Sequence, residues 1–274
     1  MAATPRKALA GATVVVTRPA APEAFLRRIR EAGGTPLRLP GLSLRPAADA
    51  AQARAALAAA RAADAWIFIS PAAVRFAARL LPLVPATLPR LVVAVGSGTQ
   101  RALRRHGVPA LAPRRADSDG VLALPELARV SGWRIALVGA PGGRGRMAPE
   151  LRARGARVES VDVYLRAPPR LDRRHLEALA GARAPLLVLV SSGEALGNLV
   201  RLLPAKSLAR LRSGTVVASS ERLVDLARGH GFTHRVLAAS AAPADLVAAA
   251  AAAVAGAPPP APRRARAAAT GQLG

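Results

Sequence analysis

The sequence repeats itself at a separation of 121 residues, and this duplication restricts the chain to folds built from two similar halves. Gly11 opens Gly-Ala-Thr-Val-Val-Val-Thr, and Gly132, 121 residues later, opens Gly-Trp-Arg-Ile-Ala-Leu-Val. The same separation relates Ser70, which follows Ala-Trp-Ile-Phe-Ile, to Ser191, which follows Leu-Leu-Val-Leu-Val. Each apolar run has the length and composition of a buried strand. The repeat therefore predicts two equivalent sets of strands.

A third pair of segments extends the repeat. Residues 91–101 align with residues 212–222, so that Thr99 meets Ser220. One separation held over three strand-loop-helix units predicts a duplication without insertions. Short Val/Leu/Ile runs alternate with Ala/Leu/Arg segments, which is the pattern of parallel sheets covered by helices on both faces. The predicted fold class is α/β, with two similar lobes that each contain a parallel sheet.

Two extended, proline-bounded segments, residues 37–46 and 158–169, predict a two-stranded β linker between the lobes. The chain would then cross from one lobe to the other twice. The composition after residue 255, rich in Pro and Arg, is typical of disorder. The predicted parts are lobe 1 from residues 1–36 and 170–255, lobe 2 from residues 47–157, and a disordered tail from residues 256–274.

The chain is strongly basic, with 40 Lys and Arg against 16 Asp and Glu and a net charge of +24. Only Lys7 and Lys206 are lysines, and such a preference for arginine fits a GC-rich coding bias that spreads arginines over solvated helix faces. A nucleic-acid partner is not expected, because aromatic residues make up only 3% of the chain and no recognition motif is present. Some arginines would suit a carboxylate ligand, since the guanidinium fork can bind both oxygens.

The residue types exclude several chemistries. Cysteine is absent, so the chain has no disulfide, no thiolate nucleophile and no Cys-based metal site. The four histidines lack metal-ligand spacing. The start of the chain lacks the pattern of a signal peptide, and the longest apolar run, residues 246–257, is too short to span a bilayer. We expect a soluble cytoplasmic protein without a membrane partner.

Five short motifs follow one another along the chain. They are residues 15–19 (Val-Val-Thr-Arg-Pro), 67–74 (Ile-Phe-Ile-Ser-Pro-Ala-Ala-Val), 94–99 (Ala-Val-Gly-Ser-Gly-Thr), 142–144 (Gly-Gly-Arg) and 163–166 (Val-Tyr-Leu-Arg). In this order they resemble the uroporphyrinogen-III synthase family over residues 11–254. The resemblance implies two lobes joined by a two-stranded ladder, with the active cleft between them.

The resemblance also implies an activity. Members of this family are lyases that close hydroxymethylbilane, a linear tetrapyrrole carrying acetate and propionate arms, into uroporphyrinogen III in porphyrin and haem biosynthesis. The reaction loses water and inverts ring D, and it uses no metal or other cofactor. We expect a monomer that acts on this small-molecule substrate. A non-catalytic two-lobed protein that binds an acidic small molecule is the alternative.

Candidate site residues come from positions that match the family motifs. Tyr164, the single tyrosine of the chain, is the candidate catalytic residue for assisting departure of the hydroxyl group, and a buried structural tyrosine is the alternative. The strand-end hydroxyls would bind carboxylates together with two arginines, and a plain helix N-cap is the alternative for each serine. The candidate substrate-binding residues are Arg18, Ser70, Ser97, Thr99, Arg144, Ser191, Ser219 and Ser220.

Overall fold

The computed structural model describes residues 7–19, 23–142 and 145–256. The chain forms two compact units, unit 1 from Met1–Ser43 and Pro168–Gly274 and unit 2 from Leu44–Ala167. Unit 1 therefore contains both ends of the chain, and unit 2 contains its middle. Apart from Gly256, the tail predicted over residues 256–274 lies outside the described residues.

Strands and helices alternate along most of the described chain. The strands are β1 (Thr13–Val16), β2 (Thr35–Arg38), β3 (Ser43–Pro46), β4 (Ala65–Phe68), β5 (Leu91–Ala94), β6 (Arg134–Gly139), β7 (Arg157–Asp162), β8 (Tyr164–Ala167), β9 (Leu186–Val190), β10 (Thr215–Ala218) and β11 (Arg235–Leu237). The α-helices are α1 (Glu23–Glu31), α2 (Ala50–Ala59), α3 (Pro71–Leu80), α4 (Ser97–Arg104), α5 (Ser118–Leu122), α6 (Met147–Ala153), α7 (Arg173–Ala180), α8 (Gly193–Leu202), α9 (Ala205–Arg212), α10 (Glu221–Gly229) and α11 (Pro243–Val254). Short 3-10 helices span Ala60–Ala62, Pro85–Thr87 and Pro125–Leu127.

Unit 1 contains a parallel sheet in the order β11-β10-β9-β1-β2. Because successive side chains of a strand point to opposite faces, Val15 packs with helices α7 to α10, whereas Val14 and Val16 pack with α1 and α11. Both faces are thus buried, which explains why β1 is apolar without alternation. Pro36 lies in the edge strand β2, a position where its missing N–H is tolerated.

Unit 2 contains a parallel sheet in the order β5-β4-β6-β7. Trp66 and Phe68 of β4 pack on one face with α2, α3 and α4, and Ala65 and Ile67 pack on the other face with α5 and α6. The predicted α/β class with two parallel sheets is confirmed.

A third, two-stranded antiparallel sheet is formed by β3 and β8. The segments predicted as linker strands, residues 37–46 and 158–169, each begin in a larger sheet and continue into this pair. Residues 37–38 end β2 in unit 1, and residues 158–162 belong to β7 in unit 2.

The two parallel sheets share one strand order. The repeat relates β6 to β1 and β4 to β9, and the order β5-β4-β6-β7 in unit 2 corresponds to β10-β9-β1-β2 in unit 1. Gly11 (φ +81°) and Gly132 (φ +79°) adopt the same left-handed conformation two residues before β1 and β6. Equivalent strands therefore occupy equivalent positions in the two sheets. The first strand along the chain differs, however: it is β1 in the unit 1 sheet and β4, the equivalent of β9, in the unit 2 sheet.

The third repeat unit departs from the predicted alignment. β5 begins at Leu91 and β10 at Thr215, so these strands stand 124 residues apart and the prediction of one constant separation without insertion is wrong here. Thr99 lies in the first turn of α4, whereas Ser220 precedes α10, and Gly96 takes the place equivalent to Ser220. The segment from β9 to β10 in unit 1 is longer than the segment from β4 to β5 in unit 2, and it contains the additional helix α9 between α8 and β10.

Candidate active site

Arg18 and Ser191 meet at the carboxyl edge of the unit 1 sheet. Arg18 follows β1 and Ser191 follows β9, and these two strands are neighbours. The Nε–H of Arg18 donates to Ser191 Oγ at 2.8 Å, and an Nη2–H donates to the carbonyl oxygen of Ala241. Thr17 Oγ1 donates to the carbonyl oxygen of Leu189 at 2.8 Å, which ties the ends of the same two strands together.

Arg18 is a half-buried cation. Its guanidinium carbon lies 5.7 Å from the centroid of the Phe25 ring. Burial lowers the pKa of the Arg18 guanidinium from its ordinary value, but arginine stays protonated near neutral pH. Among the described residues, no carboxylate forms an ion pair with Arg18. A partly desolvated cation without a carboxylate partner is suited to an anionic ligand.

Ser191 is not the N-cap of the following helix. That position belongs to Ser192, whose side chain accepts from the Ala195 N–H at 3.3 Å. The difference arises because β9 is one residue longer than β4, so the residue aligned with Ser70 falls one place before the cap. The Ser191 hydroxyl is therefore available to Arg18, and the N-cap alternative is wrong for this serine.

Ser219 and Ser220 follow β10, the other neighbour of β9. The Ser219 N–H donates to the carbonyl oxygen of Val190 at 3.0 Å, so its backbone continues the sheet. Ser220 occupies the N-cap position of α10, but its side chain makes no capping hydrogen bond. Both residues are partly exposed. The structure thus places these two hydroxyls at the same sheet edge as Arg18 and Ser191.

A buried amide that was not predicted from the sequence connects α8 to the segment that follows β2. Asn198 of α8 donates from Nδ2 to the Gly41 carbonyl oxygen at 3.0 Å and accepts from Arg201 Nη2 at 2.6 Å. A Cβ on Gly41 would lie 2.3 Å from the carbonyl oxygen of Ala195, so only glycine permits this approach. A polar residue on the buried face of α8 was the available sequence signal.

Ser70 and Tyr164 meet in unit 2. Ser70 follows β4 and is the N-cap of α3, where its Oγ accepts from the Ala73 N–H at 3.0 Å. The same Oγ lies 3.2 Å from the hydroxyl oxygen of Tyr164, which is only 6% exposed. The Tyr164 ring stacks on Phe76 of α3, with centroids 5.4 Å apart and planes at 14°. The sequence motifs identified Ser70 and Tyr164 separately as candidate site residues, but they did not predict this contact.

The remaining candidates in unit 2 belong to α4. Ser97 is exposed and is the first residue of α4, so Gly96, not Ser97, holds the N-cap position. Thr99 is 3% exposed, and no side-chain hydrogen bond is described for it within the residues the structure covers. A Cβ on Gly98 would lie 3.6 Å from Cγ of Pro71, so the first turns of α3 and α4 are adjacent. Arg144 lies outside the described residues.

A surface cavity of about 860 Å³ lies elsewhere in unit 1, along β2 and α7. Arg38, Arg174 and His175 contribute to its lining, and none of the predicted site residues does. Arg38 is paired with Glu23, and His175 with Asp172. We place a candidate site at the carboxyl edge of each parallel sheet, since ligands of parallel α/β sheets bind there, and the half-buried Arg18 of unit 1 and the buried Tyr164 of unit 2 lie at these edges.

The fold and these two polar edges define a two-unit α/β protein suited to binding an anionic ligand. Comparison with known proteins gives the family. The family model described as uroporphyrinogen-III synthase HemD matches residues 23–248. The uroporphyrinogen-III synthase of Escherichia coli K12 is 32% identical over 226 residues, covering 80% of this chain and 92% of that protein. The enzyme of Salmonella typhimurium LT2 is 30% identical over 227 residues, with the same shares covered.

Solved structures agree in fold. A uroporphyrinogen-III synthetase from Helicobacter pylori 26695 aligns with a TM-score of 0.59 at 12% identity, covering 86% of this chain and 96% of that chain. A mutant uroporphyrinogen III synthase from the extremely thermophilic bacterium Thermus thermophilus aligns with a TM-score of 0.51 at 22% identity, covering 81% of this chain and 90% of that chain.

The chain belongs to the uroporphyrinogen-III synthase family. The resemblance identified from the motifs is confirmed, as is the prediction of a lyase of porphyrin and haem biosynthesis. The comparisons favour this enzyme over the non-catalytic binding protein. In the described ranges, each helix is too short or too polar to cross a bilayer.

Proposed function

We propose that this protein closes hydroxymethylbilane to uroporphyrinogen III and that Tyr164 donates the proton that makes the terminal hydroxyl leave as water. The observation that carries this proposal is the position of the buried residue Tyr164, whose hydroxyl lies 3.2 Å from Ser70 Oγ. A phenol is a suitable general acid for this step, because the departing oxygen gains a full bond to hydrogen as its bond to carbon breaks.

The atoms of the reaction balance without another reagent. The bond between the terminal methylene carbon and its hydroxyl oxygen breaks, and the electron pair leaves with the oxygen, which takes the Tyr164 proton. The resulting azafulvene cation is attacked by the substituted carbon of the far pyrrole, giving a spiro intermediate that reopens and recloses with ring D inverted. The ring carbon that forms the last bond releases a proton, which restores the phenol.

The unit 1 edge is proposed to bind substrate carboxylates. Arg18 uses two N–H groups within unit 1, and its remaining N–H groups can donate to a ligand. Hydroxyls of Ser191, Ser219 and Ser220 lie at the same edge, and in unit 2 Ser97 and Thr99 are proposed to serve in the same way, as is Arg144. Such binding orients the bilane ends, so that the spiro route outruns direct closure.

A cytoplasmic location, a monomeric state and the absence of a nucleic-acid partner are proposed from the sequence. The lack of cysteine supports the location, and the 3% aromatic content supports the absence of a nucleic-acid partner.

The function is tested by supplying the purified protein with freshly prepared hydroxymethylbilane and separating the porphyrin isomers after oxidation. We expect the inverted isomer III to predominate. Formation of isomer I alone, at the rate seen without protein, would refute the proposed activity.

Replacing Arg18 by Met is expected to raise KM about 10-fold while kcat changes little. The substitution removes a charge-assisted hydrogen bond to a bound carboxylate, and one such bond contributes enough to account for roughly this factor. The matched control is Arg27→Met, which removes an exposed arginine of α1 paired with Glu31. If both variants raised KM equally, the effect would come from net charge and not from a site at Arg18.

A further inference from the structure

We propose that Ser70 is a positioning residue for Tyr164: its hydroxyl donates to the phenolic oxygen as that oxygen loses its proton, and so connects the reaction to the N-terminus of α3. This inference rests on the proposed function, in which Tyr164 is the proton donor. It assigns Ser70 a role that differs from the predicted binding of a substrate carboxylate.

The hydrogen bonds of Ser70 leave its own proton available. A serine hydroxyl has one donor and two acceptor lone pairs. The N-cap uses only a lone pair, because the Ala73 N–H donates to Ser70 Oγ at 3.0 Å. The hydroxyl hydrogen can therefore rotate toward the Tyr164 oxygen, which lies 3.2 Å away. An N–H, an O–H and the phenolic oxygen then form one continuous chain.

In this chain of hydrogen bonds each donor points toward the phenolic oxygen, where the reaction creates negative charge. When Tyr164 gives its proton to the departing hydroxyl, negative charge develops on the phenolic oxygen. The N-terminus of the ten-residue helix α3 carries partial positive charge, and Ser70 stands at that end. Accepting from Ala73 also strengthens Ser70 as a donor, since hydrogen bonds in a chain polarise one another.

The aromatic contact keeps Tyr164 within reach of this chain. Phe76 lies on α3, the helix that Ser70 caps, and its ring stacks on the Tyr164 ring. The guanidinium carbons of Arg75 and Arg79 lie 5.2 Å and 5.5 Å from the centroid of Phe76. One helix therefore supplies both the hydroxyl beside the phenol and the ring that fixes its plane.

The test is a double-mutant cycle on the full chain, with kcat and KM measured on hydroxymethylbilane. Ser70→Ala is expected to lower kcat roughly 10-fold or more, because a hydrogen bond to a developing charge is lost, and to leave KM within about 2-fold. Ser70→Thr keeps a hydroxyl and is expected to restore kcat. In the Tyr164→Phe background, Ser70→Ala is expected to change kcat less than about 2-fold, since its effect passes through the phenol.

Asp49→Ala is the matched control for loss of an N-cap. Asp49 caps the ten-residue helix α2 of the same unit and accepts from the Gln52 N–H at 2.8 Å. This variant is expected to lose stability without losing kcat. If Ser70→Ala lowered kcat equally in both backgrounds, or had no more effect than Asp49→Ala, the role assigned to Ser70 would be overturned while the proposed function stood. A wild-type protein that formed no isomer III would overturn both.

Discussion

Replacing Tyr164 by Phe is expected to slow closure of hydroxymethylbilane by about 10²- to 10⁴-fold, the usual contribution of a positioned general acid. The phenylalanine ring retains the stacking on Phe76 at the same site, so the substitution removes the hydroxyl and little packing. Residual activity should persist, because water can protonate the departing group. The measurement is single-turnover kinetics with freshly prepared substrate.

The product of this variant separates two roles. Ring inversion is attributed to how the protein holds the bilane ends, whereas the proton donor sets only the speed. We therefore expect the enzyme-catalysed product of Tyr164→Phe to remain isomer III, after subtraction of the spontaneous background. An unchanged rate would remove Tyr164 from the mechanism, and a fast variant releasing mainly isomer I would show that the two roles are not separate.

Replacing Trp66 by Ala is expected to lower the free energy of unfolding by about 3–5 kcal/mol, as for other large aromatic side chains in a core. Trp66 lies on β4 and is 0% exposed. Its ring packs edge-on against Phe68 with the ring centroids 5.8 Å apart, and its Nε1–H donates to the Ala60 carbonyl oxygen at 2.7 Å. The substitution would leave a cavity beneath α3, the helix that carries Ser70. Urea denaturation followed by circular dichroism measures the change.

Trp133, the other tryptophan of the chain, provides the control. It precedes β6 and is only half-buried, so Trp133→Ala should lower the free energy of unfolding clearly less than Trp66→Ala. Equal losses for the two variants would mean that the packing around β4 contributes less than its burial indicates.

Much of the fold could be predicted because it depends on local sequence patterns. Apolar runs such as residues 13–16 and 186–190 have the composition of strands buried on both faces, and the repeat indicated their equivalence. The register of the third unit could not be predicted, because Ala-rich helices align equally well at several offsets. The extra helix α9 shifted Ser220 away from its predicted match, Thr99.

The candidate site was predictable as residue types but not as contacts. Arg18 and Ser191 were named from motifs, yet their hydrogen bond depends on the pairing of β1 with β9, which brings together residues 173 positions apart. The shift of the N-cap from Ser191 to Ser192 follows from one extra residue in β9. The contact of Ser70 with Tyr164 depends on tertiary packing, about which neither local sequence carries information.

The decisive measurement for the proposed activity is the isomer ratio of the porphyrin product as the protein concentration is raised at constant hydroxymethylbilane. Spontaneous closure gives the uninverted isomer I, so the protein and the background reaction compete for one substrate. We predict that the share of isomer III rises with protein concentration until it accounts for nearly all of the product. A share of isomer III that stayed constant across the series would rule out the proposed activity.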